Sequence, residues 1–158
     1  MTLWPCVQLV ADDSLVSEAI QFWSHSQFSH AGFRTQDGAW LDCRLDGGVQ
    51  IRPAGSYRPT RFATFTFPGI EQAIDYGREL IGRKYDECNI LGMVINPALH
   101  DPNREICSRF VQECSEHTPF APILNPAVKC WHVMPGHLLF SPGVTNLQVV
   151  PYGLLEKL

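Results

Sequence analysis

Two stretches, FSHAGF at residues 28–33 and EICSRFVQEC at residues 105–114, decide how this chain is read. The first is a strand-like run that sets His30 between Ser29 and Ala31 and follows it with Gly32, whose missing side chain leaves room beside the imidazole. In the second, Ile106, Phe110, Val111 and Cys114 recur at helical spacing, so Cys107 stands at the start of a helix. A helix N-terminus carries unpaired N–H groups and partial positive charge, which lower a thiol's pKa and can donate hydrogen bonds to an oxyanion. That placement suits a nucleophile. A free cysteine is also a common small core residue, and a base beside it is what separates the two readings.

His30 is the candidate base. The segments 28–34 and 39–45 flank Thr35-Gln36-Asp37-Gly38 and predict a β-hairpin. With Ala31, Phe33, Leu41, Cys43 and Leu45 on the core face, His30 shares the opposite face with Asp42. A three-residue loop centred on Gln36 sets His30 opposite Asp42; a four-residue loop sets it opposite Cys43. A carboxylate on one imidazole nitrogen fixes the tautomer and frees the other nitrogen for a thiol proton. Cys107, His30 and Asp42 thus form a candidate nucleophile, base and orienter.

The remaining segments supply the frame. Strands are expected over 7–10, 49–52, 61–67 and 146–150, the RFATFTF run at 61–67 alternating apolar and polar residues. Asp12-Asp13-Ser14 offers capping acceptors to a helix over 14–25, whose Leu15, Val16, Ala19, Ile20 and Trp23 recur at helical spacing. Ile70, Ala73, Ile74, Leu80 and Ile81 predict a helix ending near Gly82. A further helix is expected over 86–95 and a loop over 96–104, and the prolines between 119 and 142 exclude long regular elements. The order predicts an α+β domain spanning 1–158, with an antiparallel sheet packed against helices.

Composition narrows the partners. The chain has 158 residues, a formal charge of −4 and no run of lysines and arginines, which argues against nucleic acid. No apolar run approaches the ~20 residues of a membrane span, and residues 1–10 lack a basic segment, so a cytoplasmic address is expected. The six cysteines are expected as thiols in a reducing compartment. Zinc is the competing use of cysteine and histidine, but no CxxC or HExxH occurs; Cys130 and His132 have only His137 nearby, and no metal or other cofactor is expected. Trp131, Val133 and Met134 suit either substrate contact or core packing.

The segments FSHAGF, GRKYD (82–86), ICSRFV and MPGHLLFSP resemble, in this order, the circularly permuted branch of the NlpC-type cysteine amidases. That branch holds the YiiX-like and YaeF-like bacterial proteins and the lecithin-retinol acyltransferase relatives, in which histidine precedes cysteine. The resemblance runs from about Val7 to Gly136. It implies a permuted papain-like fold with Cys107 as nucleophile, His30 as base, Asp42 or Gln50 as the third polar residue, and Tyr85 along the site. It implies hydrolysis of an amide in a peptide, a peptidoglycan-type peptide or a lipid, with a non-catalytic binding or phage-assembly module as the alternative. A glycine-aspartate pair usual near the start of such proteins is replaced here by Ala11-Asp12-Asp13.

Overall fold

Alternating side chains give the sheet two unlike faces. A computed structural model describes residues 4–57, 59–86, 104, 106–120 and 133–150. Most of the helix and loop expected over 86–104, and Trp131, lie outside the described residues. Strands β1 (Cys6–Ala11), β2 (His30–Arg34), β3 (Trp40–Arg44), β4 (Gly48–Arg52), β5 (Arg61–Thr66) and β6 (Thr145–Val150) pair antiparallel in the order β4-β3-β2-β1-β5-β6. One face presents Val7, Leu9, Ala31, Phe33, Leu41, Cys43, Ala63 and Phe65, all removed from solvent. The other presents His30, Trp40 and Asp42, also buried, so this is a polar layer under cover.

Helices α2 (Ile70–Glu79) and α3 (Cys107–Glu116) pack on the apolar face. Ile70, Ala73 and Ile74 from α2 meet Phe110, Val111 and Cys114 from α3, and Phe33 lies edge-on to Phe110 at 5.8 Å. Glycine at 77 permits the approach: a Cβ there would stand 3.0 Å from the Phe110 ring and 3.1 Å from the Leu41 side chain. Beyond α2 the chain turns through Gly82, φ 93°, and pairs with β4 through Gly82 N–H to Val49 O and Val49 N–H to Arg83 O, both 2.9 Å. The expected helix therefore ends three residues early, and Ile81 is half-exposed.

Two other expectations change. The hairpin register is Gly32 opposite Asp42, Phe33 opposite Leu41 and Arg34 opposite Trp40, different from both registers anticipated from loop length. The turn is closed by Thr35, whose N–H reaches Ala39 O at 3.0 Å, so five residues from Thr35 to Ala39 form the connection between the strands. Leu45 falls beyond the strand and is exposed.

Helix α1 (Leu15–Ser24) is capped as expected, with the Ser14 hydroxyl accepting from Ser17 N–H at 3.2 Å and His25 ending it at φ 50°. Its orientation is reversed. Leu15, Val16 and Phe22 face solvent, whereas Ser17 is buried against the Ser29 hydroxyl at 2.7 Å and accepts from Asp12 N–H at 3.2 Å. Polar groups at this end of the sheet need partners, and the helix supplies them with its polar side.

Gly77→Val is expected to lower stability by ~1–3 kcal/mol through overpacking against Phe110 and Leu41. The urea midpoint should fall with an unchanged slope; an unchanged midpoint would show that α2 and α3 are not held at contact distance.

Candidate active site

The site grows from the buried polar face. His30 opens β2, and Asp42 lies on the same face of β3, two residues along from the position opposite His30. A Cβ on Gly32 would stand 2.7 Å from the Asp42 Cβ and 3.1 Å from the Trp40 ring, so only glycine lets both side chains fold across it. The His30 ring then reaches Asp42, Nε2 to Oδ2 at 2.8 Å. Asp42 is fully buried and collects two guanidinium groups as well: Arg44 Nε donates to Oδ2 at 2.7 Å and Arg52 Nη1 donates to Oδ1.

Cys107 begins α3, after Ile106 in extended conformation. Its side chain comes close enough to the His30 imidazole for the charge of one to act on the other. Because Nε2 is engaged by Asp42, the ring nitrogen that remains for sulfur is Nδ1. Two residues 77 positions apart in the chain thus act on one another electrostatically. Tyr57 stacks on the imidazole at 5.7 Å and 18°, and its hydroxyl donates to Asp12 Oδ2 at 3.0 Å. The Arg44 guanidinium lies over the Tyr57 ring, 4.7 Å from its centre, and Trp40 closes the group at 6.2 Å from the imidazole.

Charges respond to this arrangement. Burial opposes the imidazolium of His30, but the negative charge of Cys107, the hydrogen bonds from Asp42 and Cys107 and the charge of Asp42 outweigh it, raising its pKa to about 9. Burial alone would raise the Asp42 carboxyl, yet the His30 hydrogen bond and the charges of His30, Arg44 and Arg52 hold it below its ordinary value. Tyr85 is pushed well upward by burial and then by the negative charges of Cys107, Cys43 and Asp86.

Tyr85 also lines, with His30, Tyr57 and Arg44, a cleft of about 180 Å³ whose rim carries Val16 and Leu45. Gln50 takes no part: it is exposed and its amide turns back to Gly47 O at 3.0 Å, so Asp42 alone of the two candidates meets the imidazole. A larger hollow of about 370 Å³ lies elsewhere, against Glu71, Asp75 and Arg78, and holds none of the candidate residues. The sequence reading missed Tyr57, Arg44 and Arg52. Arg44 was legible as the next same-face position after Asp42, but Tyr57 follows β4 in a segment without periodicity.

Comparison with solved structures finds the same chain path in a protein described as the metalloprotein YiiX from Escherichia coli O157:H7. The match has a TM-score of 0.66 at 16% identity and covers 94% of this chain and 96% of that one. This chain shares the YiiX fold. No family model matches it, and neither does any curated protein. The word metalloprotein applies to that neighbour; among the described residues here, no group of three His, Cys, Asp or Glu side chains is arranged to hold a metal ion. The donors at the site do not fit one: His30 Nε2 is committed to Asp42, and both Asp42 oxygens face guanidinium groups, whose charge repels a cation.

Because folding raises the His30 pKa from 6.5 to about 9, its contribution to stability is complete below pH 6.5 and is lost as pH rises through about 9. Wild-type protein should therefore show a fall in Tm between pH 6.5 and 9.5 that His30→Gln lacks. Parallel Tm profiles for the two proteins would mean that the imidazole is not held as a cation.

Proposed function

We propose that this protein is a cysteine-dependent hydrolase that cleaves an amide through a thioacyl-enzyme, on a circularly permuted papain-like framework of the NlpC type. The observation that carries the reading is the His30–Asp42 pair with Cys107 beside it: an imidazole with one nitrogen fixed by a buried carboxylate, within electrostatic reach of a thiol at a helix start. The YiiX fold supports it, as does the order of the histidine and cysteine motifs in the chain.

In this reading Cys107 Sγ attacks the amide carbonyl carbon, and the charge that develops on oxygen faces the backbone N–H of Cys107 at the start of α3. The C–N bond breaks as His30 passes its Nδ1 proton to the leaving nitrogen, giving an amine and a thioester on Cys107. Water then attacks the thioester carbon while His30 accepts its proton, releasing the acid and the thiol. Asp42 keeps Nε2–H as the donor throughout and stabilises the imidazolium. Its two arginines keep it ionised, so it serves as an acceptor only. Tyr57 holds the ring plane by stacking.

Cys107→Ser should abolish amide turnover with a Tm close to wild type, and His30→Gln should lower kcat by at least ~10³-fold. Asp42→Asn should retain a measurable rate, reduced roughly 10²–10⁴-fold, because an amide cannot stabilise the imidazolium. Rates on a panel of peptide, peptidoglycan-type and lipid amides, measured beside thermal melts, decide the matter. Activity lost only in proportion to folded protein would replace this reading with a non-catalytic binding module.

Alkylation gives a second check. Iodoacetamide should modify Cys107 ahead of Cys6, Cys43 and Cys114, all four being buried, and the preference should shrink in His30→Gln. Burial pushes the Cys6 thiol up to about 12, against a smaller opposing pull from Arg34, so it is a poor competitor. Equal labelling of all four by peptide mass spectrometry counts against an activated Cys107.

A further inference from the structure

Asp12 stands where β1 ends and α1 begins, and it bonds to more than the helix it introduces. Its Oδ1 accepts from the Ser14 N–H at 3.0 Å and from the Ser14 hydroxyl at 2.6 Å, and its own N–H donates to the Ser17 hydroxyl at 3.2 Å. Those three bonds serve α1. The second oxygen, Oδ2, accepts from the Tyr57 hydroxyl at 3.0 Å, 45 positions along the chain. Tyr57 belongs to the connection between β4 and β5, where residues 53–56 are all exposed, and this is the one hydrogen bond of its side chain among the described residues.

We infer that Asp12 is a positioning residue for the reactive pair: its carboxylate anchors the Tyr57 hydroxyl, and the anchored ring sets the plane of the His30 imidazole. The inference deepens the hydrolase reading and rests on it for its kinetic consequence. The bond from His30 Nε2 to Asp42, at 2.8 Å, fixes one atom of the ring. The χ2 torsion of histidine is broad, so that bond leaves the ring free to tilt and to carry Nδ1 out of line with Cys107. Tyr57 lies on the imidazole face at 5.7 Å and 18°, which removes the freedom.

The tyrosine ring needs its own fixing. Its contacts with the Arg44 guanidinium at 4.7 Å and with Trp40 at 5.9 Å are ones a ring can keep while it slides; the directional bond to Asp12 decides where it stops. Asp12 suits the task because it stays ionised. Burial opposes its charge, but hydrogen bonds from Ser14, Tyr57 and Ser17 hold its carboxyl below the ordinary value. Burial, and then the charge of Asp12, push the Tyr57 phenol upward, so it remains the donor. The adjacent Asp13 accepts instead from the Thr60 hydroxyl at 3.2 Å on the exposed surface, so of the two aspartates only Asp12 reaches the site.

The test compares Asp12→Ala, Asp12→Asn and Tyr57→Phe, each checked by thermal melt. Alanine removes the anchor. Phenylalanine keeps the ring and the bonds between Asp12 and α1 but loses the anchor. Asparagine keeps it, since its amide can donate to the phenol oxygen while its carbonyl serves Ser14. On whichever amide of the panel the wild type cleaves, kcat should fall about ten-fold in Asp12→Ala and in Tyr57→Phe, with KM within about two-fold. Asp12→Asn should stay within about two-fold of wild type, and the double variant of Asp12→Ala and Tyr57→Phe should be no slower than the slower single. The second readout is independent of turnover: the NMR signal of the His30 Cε1–H should move the same way in Asp12→Ala and Tyr57→Phe and lie near its wild-type position in Asp12→Asn. That pattern in a wild type without turnover upholds the anchor and removes the hydrolase reading. Turnover with a Tyr57→Phe that matches wild type in kcat and in the His30 signal overturns the anchor alone and leaves Asp12 as a partner of α1. Asp12→Asn as impaired as Asp12→Ala also overturns it, because charge and not the hydrogen bond would then be responsible. A His30 signal unmoved in all three variants overturns it with or without turnover.

Discussion

A carboxylate removed from water costs several kcal/mol unless charge and hydrogen bonds surround it, and Asp42 is such a group. Its Oδ2 takes the His30 imidazole and the Arg44 guanidinium at 2.8 and 2.7 Å, and its Oδ1 takes Arg52. These partners come from β2, β3 and β4, so one buried charge ties three adjacent strands together on their second face. Removing Asp42 would leave two guanidinium groups facing one another, and moving it would release the imidazole. The position of His30, and with it the relation of that ring to Cys107, depends on this clamp.

The two faces of the sheet follow different rules. On the helix side, packing decides: Phe33, Phe65, Phe110 and Leu9 fill the space, and glycine at 77 lets α2 close on it. On the other side, satisfaction of polar groups decides, and aromatic rings serve as lids over charges. Arg34 stacks 4.9 Å from the Trp40 ring centre, Arg44 stacks over Tyr57, and Tyr57 covers His30. Glycine at 32 plays here the part that glycine plays at 77 on the helix side, opening space for Asp42 and Trp40. A polar layer of this kind is rigid only while every member is paired, which is why the hairpin register carries consequences for the site.

Much of the frame was legible from local pattern. The Asp12–Ser14 cap, the Arg61–Thr66 strand and the start of α2 fall close to their expected positions, because capping chemistry and residue periodicity act within a few positions of one another. The shared face of His30 and Asp42 was also legible, since alternation along a strand survives an even shift of register. The register itself was not. Turn residues alone do not set the loop length, because Thr35 and Ala39 bond to each other and move the pairing to Gly32–Asp42.

The sequence by itself determined which side chains were available for chemistry: a cysteine opening a helix, a histidine followed closely by a glycine, and an aspartate on the same face of the neighbouring strand. Helical and strand periods are local, so these placements needed no knowledge of distant contacts. Only the tertiary structure decided between Asp42 and Gln50, because the choice turns on which side chain the arginines and Gly32 admit to the imidazole. It also decided the direction of α1. Helical spacing marked Leu15, Val16, Ala19, Ile20 and Trp23 as one side of an amphipathic helix, but the buried hydroxyl of Ser29 and the backbone of Asp12 required polar partners, and satisfying them turned Leu15, Val16 and Ala19 outward.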